Sequence, residues 1–189
     1  MMSSLGLNLP NLITLGRLLL VPLTIWLILS DRYGTAFAVF VLAGLSDGLD
    51  GFIAKRFDRR TRLGALLDPI ADKALLVSVF LALGAAGQIP VWLVILVVFR
   101  DVMIVGGFLL LLAMGMSVPR LSDPLYISKL NTLVQIAVVA FELARLGLGA
   151  DAGPVRQLLI ILAAATTVAS GSSYLVRWAR ILSRSEEAL

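Results

Sequence analysis

The 189-residue chain contains no cysteine and no histidine. The first absence excludes disulfides, thiol nucleophiles and thiolate metal sites; the second removes the usual general base and the commonest zinc ligand. Any acid–base or metal chemistry therefore falls to carboxylates. Charge is also scarce: 15% of residues are charged and 59% are hydrophobic, far too apolar for an ordinary soluble domain. The chain belongs in a bilayer. A formal charge of +4 would suit nucleic acid in a soluble protein. In a membrane protein basic residues mark cytoplasmic loops and anionic headgroups, so no nucleic-acid partner is expected. Low-complexity segments are missing too, and residues 1–189 read as a single membrane domain. Met1 to Pro10 lacks a basic run before an apolar core and an A-x-A cleavage site, so the first helix is expected to stay in the mature protein.

What is present is a series of long apolar runs. A span needs about 20 mainly apolar residues, and six stretches qualify: Ile13–Leu29, Thr35–Phe57, Leu63–Ala86, Pro90–Met114, Leu125–Leu146 and Val155–Ile181. Short connectors rich in turn residues separate them, such as Ser30 to Gly34, Gly87 to Pro90 and Gly147 to Pro154. The expected fold is all-α, an integral membrane bundle of six transmembrane helices with a short N-terminal interfacial helix. The connector after span two holds Lys55, Arg56, Arg59, Arg60 and Arg62, and the tail holds Arg177, Arg180 and Arg184. The opposite loops contribute only Arg32, Arg145 and Arg156. The basic connector and both termini are thus expected on the cytoplasmic side.

Four aspartates interrupt spans two and three at their cytoplasmic ends. Asp47 and Asp50 are three residues apart, Asp68 and Asp72 four apart, so on helices each pair shares one face. Carboxylates that converge in a low-dielectric medium repel one another unless cations sit between them, and oxygen-only clusters suit hard divalent ions. The expectation is a site for two Mg²⁺ or Mn²⁺ ions. Gly44, Gly48 and Gly51 line span two at helical spacing. They form either a packing seam or, at Gly51, a place where a nucleotide lies against the backbone.

The pattern of Asp47, Asp50, Gly51, Ala54, Gly64, Asp68 and Asp72 resembles the signature of the CDP-alcohol phosphotransferases, D-x2-D-G-x2-A-(R)-x8-G-x3-D-x3-D. These integral-membrane enzymes join a CDP-linked lipid or alcohol to a hydroxyl acceptor and release CMP. The family's arginine is Lys55 here, with Arg56 beside it; an ammonium keeps the charge but not the fork that grips a phosphate twice. By this resemblance, one metal is held mainly by Asp47, Asp50 and Asp68 and a second by Asp47, Asp68 and Asp72. Lys55 then meets diphosphate charge and Asp72 is the base for the acceptor hydroxyl. Lys73 is either a phosphate contact or an ion-pair partner.

Other polar positions extend the picture. Asn11, Thr14 and Arg17 share a face before span one, which is either an interfacial anchor or a wall of the nucleotide pocket. The stretch is similar to the P-N-x-x-T-x-x-R segment of bacterial phosphatidylglycerophosphate synthases and cardiolipin synthases. Arg100 and Asp101 sit near mid-membrane in span four, where charges mark a functional cavity or an internal lock. Ser128, Asn131, Thr132 and Gln135, with Lys129 beside them, look like a headgroup pocket in span five; Glu142 is expected to be a mere surface charge. Ala163 to Ser173 in span six has the small-residue composition of tight packing, possible also at a dimer interface.

Within the family, the stretches 42–54, 100–103, 127–132 and 166–174 resemble the cardiolipin synthases of the kind found in mitochondria. That implies transfer of a phosphatidyl group from CDP-diacylglycerol to phosphatidylglycerol, a homodimer by analogy with relatives, and a place in a bacterial inner membrane with the active site facing the cytoplasm. The alternative is a phosphatidylglycerophosphate synthase, which uses glycerol 3-phosphate. A divalent-cation carrier would also hold intramembrane aspartates, but it does not require the Gly51/Ala54/Gly64 spacing; a purely structural bundle has no reason to cluster four acids.

Overall fold

The computed structural model describes residues 9–57, 62–114 and 126–186. Among them there are six helices and no strand: α1 (Leu9–Leu29), α2 (Tyr33–Phe57), α3 (Arg62–Ala85), α4 (Val91–Ala113), α5 (Tyr126–Leu148) and α6 (Gly153–Glu186). The boundaries follow backbone chemistry. After α1, Asp31 takes a left-handed conformation (φ 57°), and the Arg32 amide reaches back to the Leu27 carbonyl at 2.9 Å. Gly87 does the same after α3 (φ 69°), with the Gln88 amide donating to Leu83 at 2.8 Å, and Gly149 after α5 (φ 64°), with Ala150 donating to Arg145 at 2.9 Å. Each is a Schellman closure, which gives the last carbonyls of a helix a donor. Pro90 stands just before α4, where its carbonyl accepts from Leu93 at 2.9 Å and its missing N–H costs nothing.

One difference concerns the N-terminal segment. Residues 9–17 were expected to form a short interfacial helix ahead of span one, but Leu9–Leu29 is one continuous helix. Nothing between Asn11 and Leu18 breaks it, since a lone Gly16 only weakens a helix.

The chain divides into two compact units. The first comprises residues 1–89 and 139–152. In it α1 packs against both α2 and α3. Its core is Leu27 and Ile28 of α1, Ala36, Phe40 and Ala43 of α2, Leu75, Val79, Phe80 and Leu83 of α3, and Val139 and Leu143 of α5. Gly34 of α2 and Gly147 of α5 meet backbone to backbone. Glu142, expected at the surface, is 1% exposed and accepts from Arg145 Nε and Nη2 at 3.0 and 2.8 Å. A partner one turn along the helix offsets its charge and lets it turn inward.

The second unit comprises residues 90–138 and 153–189, and in it α4 packs on α6. Leu93, Val97 and Leu111 of α4 and Ile160, Ala163 and Tyr174 of α6 are buried. The Trp178 ring lies directly over Gly107, and a Cβ added at Gly171 would lie 3.5 and 3.7 Å from the Met103 and Arg100 side chains. The small-residue stretch of α6 thus packs within the chain, on α4. Trp92, Ile95, Phe99, Val102 and Leu109 of α4 are exposed. Such a face is a liability in water and ordinary in lipid.

α4, α5 and α6 contain stretches long and apolar enough to cross a membrane, at Val91–Leu111, Tyr126–Leu148 and Gly153–Ile181. In α1, α2 and α3 the apolar stretches among the described residues are shorter: Leu18–Leu29, Tyr33–Ser46 and Lys73–Ala85.

Candidate functional site

The residues singled out for chemistry fall on both units. In the first, α1 holds Asn11, Thr14 and Arg17; α2 holds Asp47, Asp50, Gly51, Ala54 and Lys55; α3 holds Gly64, Asp68 and Asp72. The helical backbone over 47–50 and 68–72 keeps each acid pair at the i, i+3 or i, i+4 interval that puts two residues on one face. Both acid-bearing helices share α1 as packing partner. The side chains of all these residues lie outside those described, as do Gly48 and Arg56. Among the described side chains no group of three acids gathers for a metal. At Gly44 an added methyl would meet no described atom within 4 Å, so no packing seam is seen there.

The second unit contains a buried polar network centred on Arg100, which is 3% exposed. Its guanidinium donates from Nη1 to Asp101 Oδ1 at 2.6 Å, from Nη2 to Ser128 Oγ of α5 at 2.6 Å, and from Nε to Ser170 Oγ of α6 at 3.2 Å; Nη2 also reaches Ser170. The Tyr174 ring centroid lies 5.9 Å from Cζ, within cation–π range. One side chain of α4 thereby ties together three helices. A buried guanidinium is tolerable only with its charge paired and its donors met, and Asp101, Ser128 and Ser170 do both.

One turn further along α5, Asn131 is fully buried, and its Oδ1 accepts from Thr167 Oγ1 at 2.8 Å and lies 3.0 Å from Thr166 Oγ1. Gln135 follows on the same face, 2% exposed. Thr132 faces outward instead and bonds back to the Ser128 carbonyl at 3.1 Å. Lys129 is exposed too, its ammonium 5.6 Å from the centroid of the Tyr126 ring. Sequence reasoning took Thr167 and Ser170 only as packing residues. The available signal was small polar residues recurring at helical intervals, Thr166/Thr167, Ser170 and Ser173, in a mostly apolar helix.

Comparison with known proteins agrees with the motif. Over 181 residues the chain is 36% identical to the cardiolipin synthase (CMP-forming) of Rattus norvegicus and to that of Homo sapiens. Each alignment covers 88% of this chain and 60% of the relative. It is also 36% identical over 194 residues to a chloroplastic CDP-diacylglycerol–glycerol-3-phosphate 3-phosphatidyltransferase of Oryza sativa subsp. japonica, covering 94% of this chain and 59% of that protein. The chain therefore spans about three fifths of the length of these relatives. Residues 7–169, which include all four aspartates, Arg100, Asp101, Ser128, Asn131 and Thr167, match the model of the CDP-alcohol phosphatidyltransferases, and the chain belongs to that family.

Proposed function

We propose that this chain transfers the phosphatidyl group of CDP-diacylglycerol to phosphatidylglycerol, yielding cardiolipin and CMP. The observation that supports it most is the identity to proteins named cardiolipin synthase over most of the chain, within the CDP-alcohol phosphatidyltransferase family. We read residues 1–189 as one six-span membrane domain in a bacterial inner membrane, active towards the cytoplasm, and as a homodimer.

Asp47, Asp50, Asp68 and Asp72 would hold two divalent cations. The donor set fits: four carboxylates in a chain without histidine or cysteine make an oxygen-only site, which suits Mg²⁺ or Mn²⁺. Bound there, the ions would offset the diphosphate charge and stabilise the leaving oxygen of CMP. In the reaction, the acceptor hydroxyl oxygen forms a bond to the phosphorus bearing the diacylglycerol, and the bond from that phosphorus to the CMP oxygen breaks. Asp72 takes the hydroxyl proton, carboxylates being the only acid–base side chains near neutrality that the chain offers. Lys55 pairs with the diphosphate, and Asn11, Thr14, Arg17, Gly51, Ala54 and Gly64 shape the nucleotide side. Arg100 and Lys129 serve the acceptor.

The rice relative favours a second reading, glycerol 3-phosphate as acceptor. Against it, the Arg100 charge is offset by Asp101, and a nearly dianionic acceptor calls for a denser cationic cluster. The test gives purified protein CDP-diacylglycerol, Mg²⁺ or Mn²⁺ and either phosphatidylglycerol or glycerol 3-phosphate, with lipid products identified by mass spectrometry. Cardiolipin is expected; phosphatidylglycerophosphate alone would establish the second reading.

A further inference from the structure

Two buried amides of the second unit have donors that no described acceptor meets. Asn131 Nδ2 and Gln135 Nε2 are both buried and have no hydrogen-bond partner among the described residues. In the structure Asn131 Oδ1 accepts from the Thr167 hydroxyl of α6 at 2.8 Å, with the NH₂ end on the far side of the amide. Four residues apart on one helix, the two amides share a face, and Ser128, three residues before Asn131, already bonds the guanidinium of Arg100. The charge of that guanidinium is offset by Asp101. The face therefore offers neutral N–H donors with little net charge.

Native structures rarely keep buried donors unmet, and in a membrane there is no water to relieve them. A phosphate dianion calls for cations, whereas a hydroxyl oxygen is well served by amide N–H groups. We infer that Asn131 and Gln135 read the uncharged glycerol hydroxyl of the acceptor lipid headgroup and so determine specificity for a polyol-bearing acceptor. This rests on the transferase reading above. Because both nitrogens are buried, the headgroup reaches them by parting α5 from its neighbours, and two donors left without acceptors make that parting less costly.

The test compares wild type with Gln135→Met, which keeps the length and removes the amide without touching the Asn131–Thr167 tie. Each is given CDP-diacylglycerol, Mg²⁺ and either phosphatidylglycerol or phosphatidyl-1,3-propanediol, which retains the terminal hydroxyl and lacks the central one. Wild type should use the analogue with kcat/KM roughly ten-fold lower, the net worth of one lost hydrogen bond to donors that are already unmet in the free protein. Gln135→Met should raise KM for phosphatidylglycerol by roughly ten-fold and shrink the discrimination to about two-fold, with KM for CDP-diacylglycerol unmoved. Undiminished discrimination in the variant overturns the inference, and so does an equal rise in both KM values, the mark of a packing role. If Gln135→Met does not fold, Gln135→Glu replaces it, and a wild type indifferent to the missing hydroxyl overturns the inference by itself. No CMP release with any acceptor would instead overturn the transferase reading.

Discussion

Replacing Gly147 with alanine probes how closely two helix backbones can approach in the first unit. A Cβ built on Gly147 would lie 2.6 Å from the Cα and 2.8 Å from the nitrogen of Gly34. Carbon atoms in ordinary contact sit about 3.5–4.0 Å apart, so the two chains must separate by about 1 Å, and backbone cannot swing aside as a side chain does. The reverse substitution differs: a Cβ on Gly34 lies 3.7 Å from the Cα and carbonyl oxygen of Gly147, an ordinary contact. Alanine gains up to about 1 kcal/mol over glycine inside a helix, less near an end, while overpacking of this kind costs about 1–3 kcal/mol. We therefore expect Gly147→Ala to destabilise by about 1–2 kcal/mol, or about 3–6 °C in Tm for a chain of this size. Gly34→Ala should stay within about 0.5 kcal/mol of wild type. Thermal unfolding in one detergent, followed by tryptophan fluorescence, reads both. A Gly147→Ala protein that melts at or above wild type, or a Gly34→Ala protein that loses as much, refutes the reasoning.

Asp68→Asn keeps the shape and loses the charge, so CMP release should fall to background, as it should when a chelator strips divalent ions; near-normal release by the folded variant would sink the two-metal proposal. Lys55→Arg should preserve activity, while Lys55→Ala should raise the apparent KM for CDP-diacylglycerol by roughly ten-fold, the loss of one charge-assisted contact of about 1.5 kcal/mol. Unchanged kinetics in Lys55→Ala would move that contact to another residue. Arg100→Met takes the guanidinium from the buried Asp101 and should cost about 3–5 kcal/mol, seen as poor yield and a lowered Tm. Adding Asp101→Asn should recover much of it, and an Arg100→Met protein as stable as wild type would remove the network from the account of the fold.

The helices were legible because strong apolar runs are bounded by turn residues with a definite mechanical role. Span three was read to Ala86 and ends at Ala85, where Gly87 supplies the left-handed turn. The placing of each acid pair on one helix was legible because spacing along a helix is a local property, and i, i+3 and i, i+4 intervals need no tertiary knowledge. What periodicity cannot give is a partner distant in the chain. Arg100 announced itself as a charge in an apolar run, yet Ser170, its ligand from α6, is separated by 70 residues and reads as one more small residue. Glu142 was misjudged for a related reason, since position near a helix end does not reveal which way a side chain turns once Arg145 offsets its charge.

The length of α6 has a consequence of its own. Between Arg156 and Arg177 the helix runs 20 residues without a charge, inside the candidate span Gly153–Ile181. At 1.5 Å per residue that is roughly 30 Å, about the thickness of a hydrocarbon layer, so the two arginines fall at its two faces. A thinner or thicker bilayer is met by tilt or by local deformation of the lipid, each at an elastic cost that depends on the host bilayer. Thr167 and Ser170 ride on this helix and hold Asn131 and Arg100, so the rod that absorbs the mismatch also clamps the buried polar network. Acyl-chain length of the surrounding lipid thus becomes a mechanical variable acting on that network with no side chain altered.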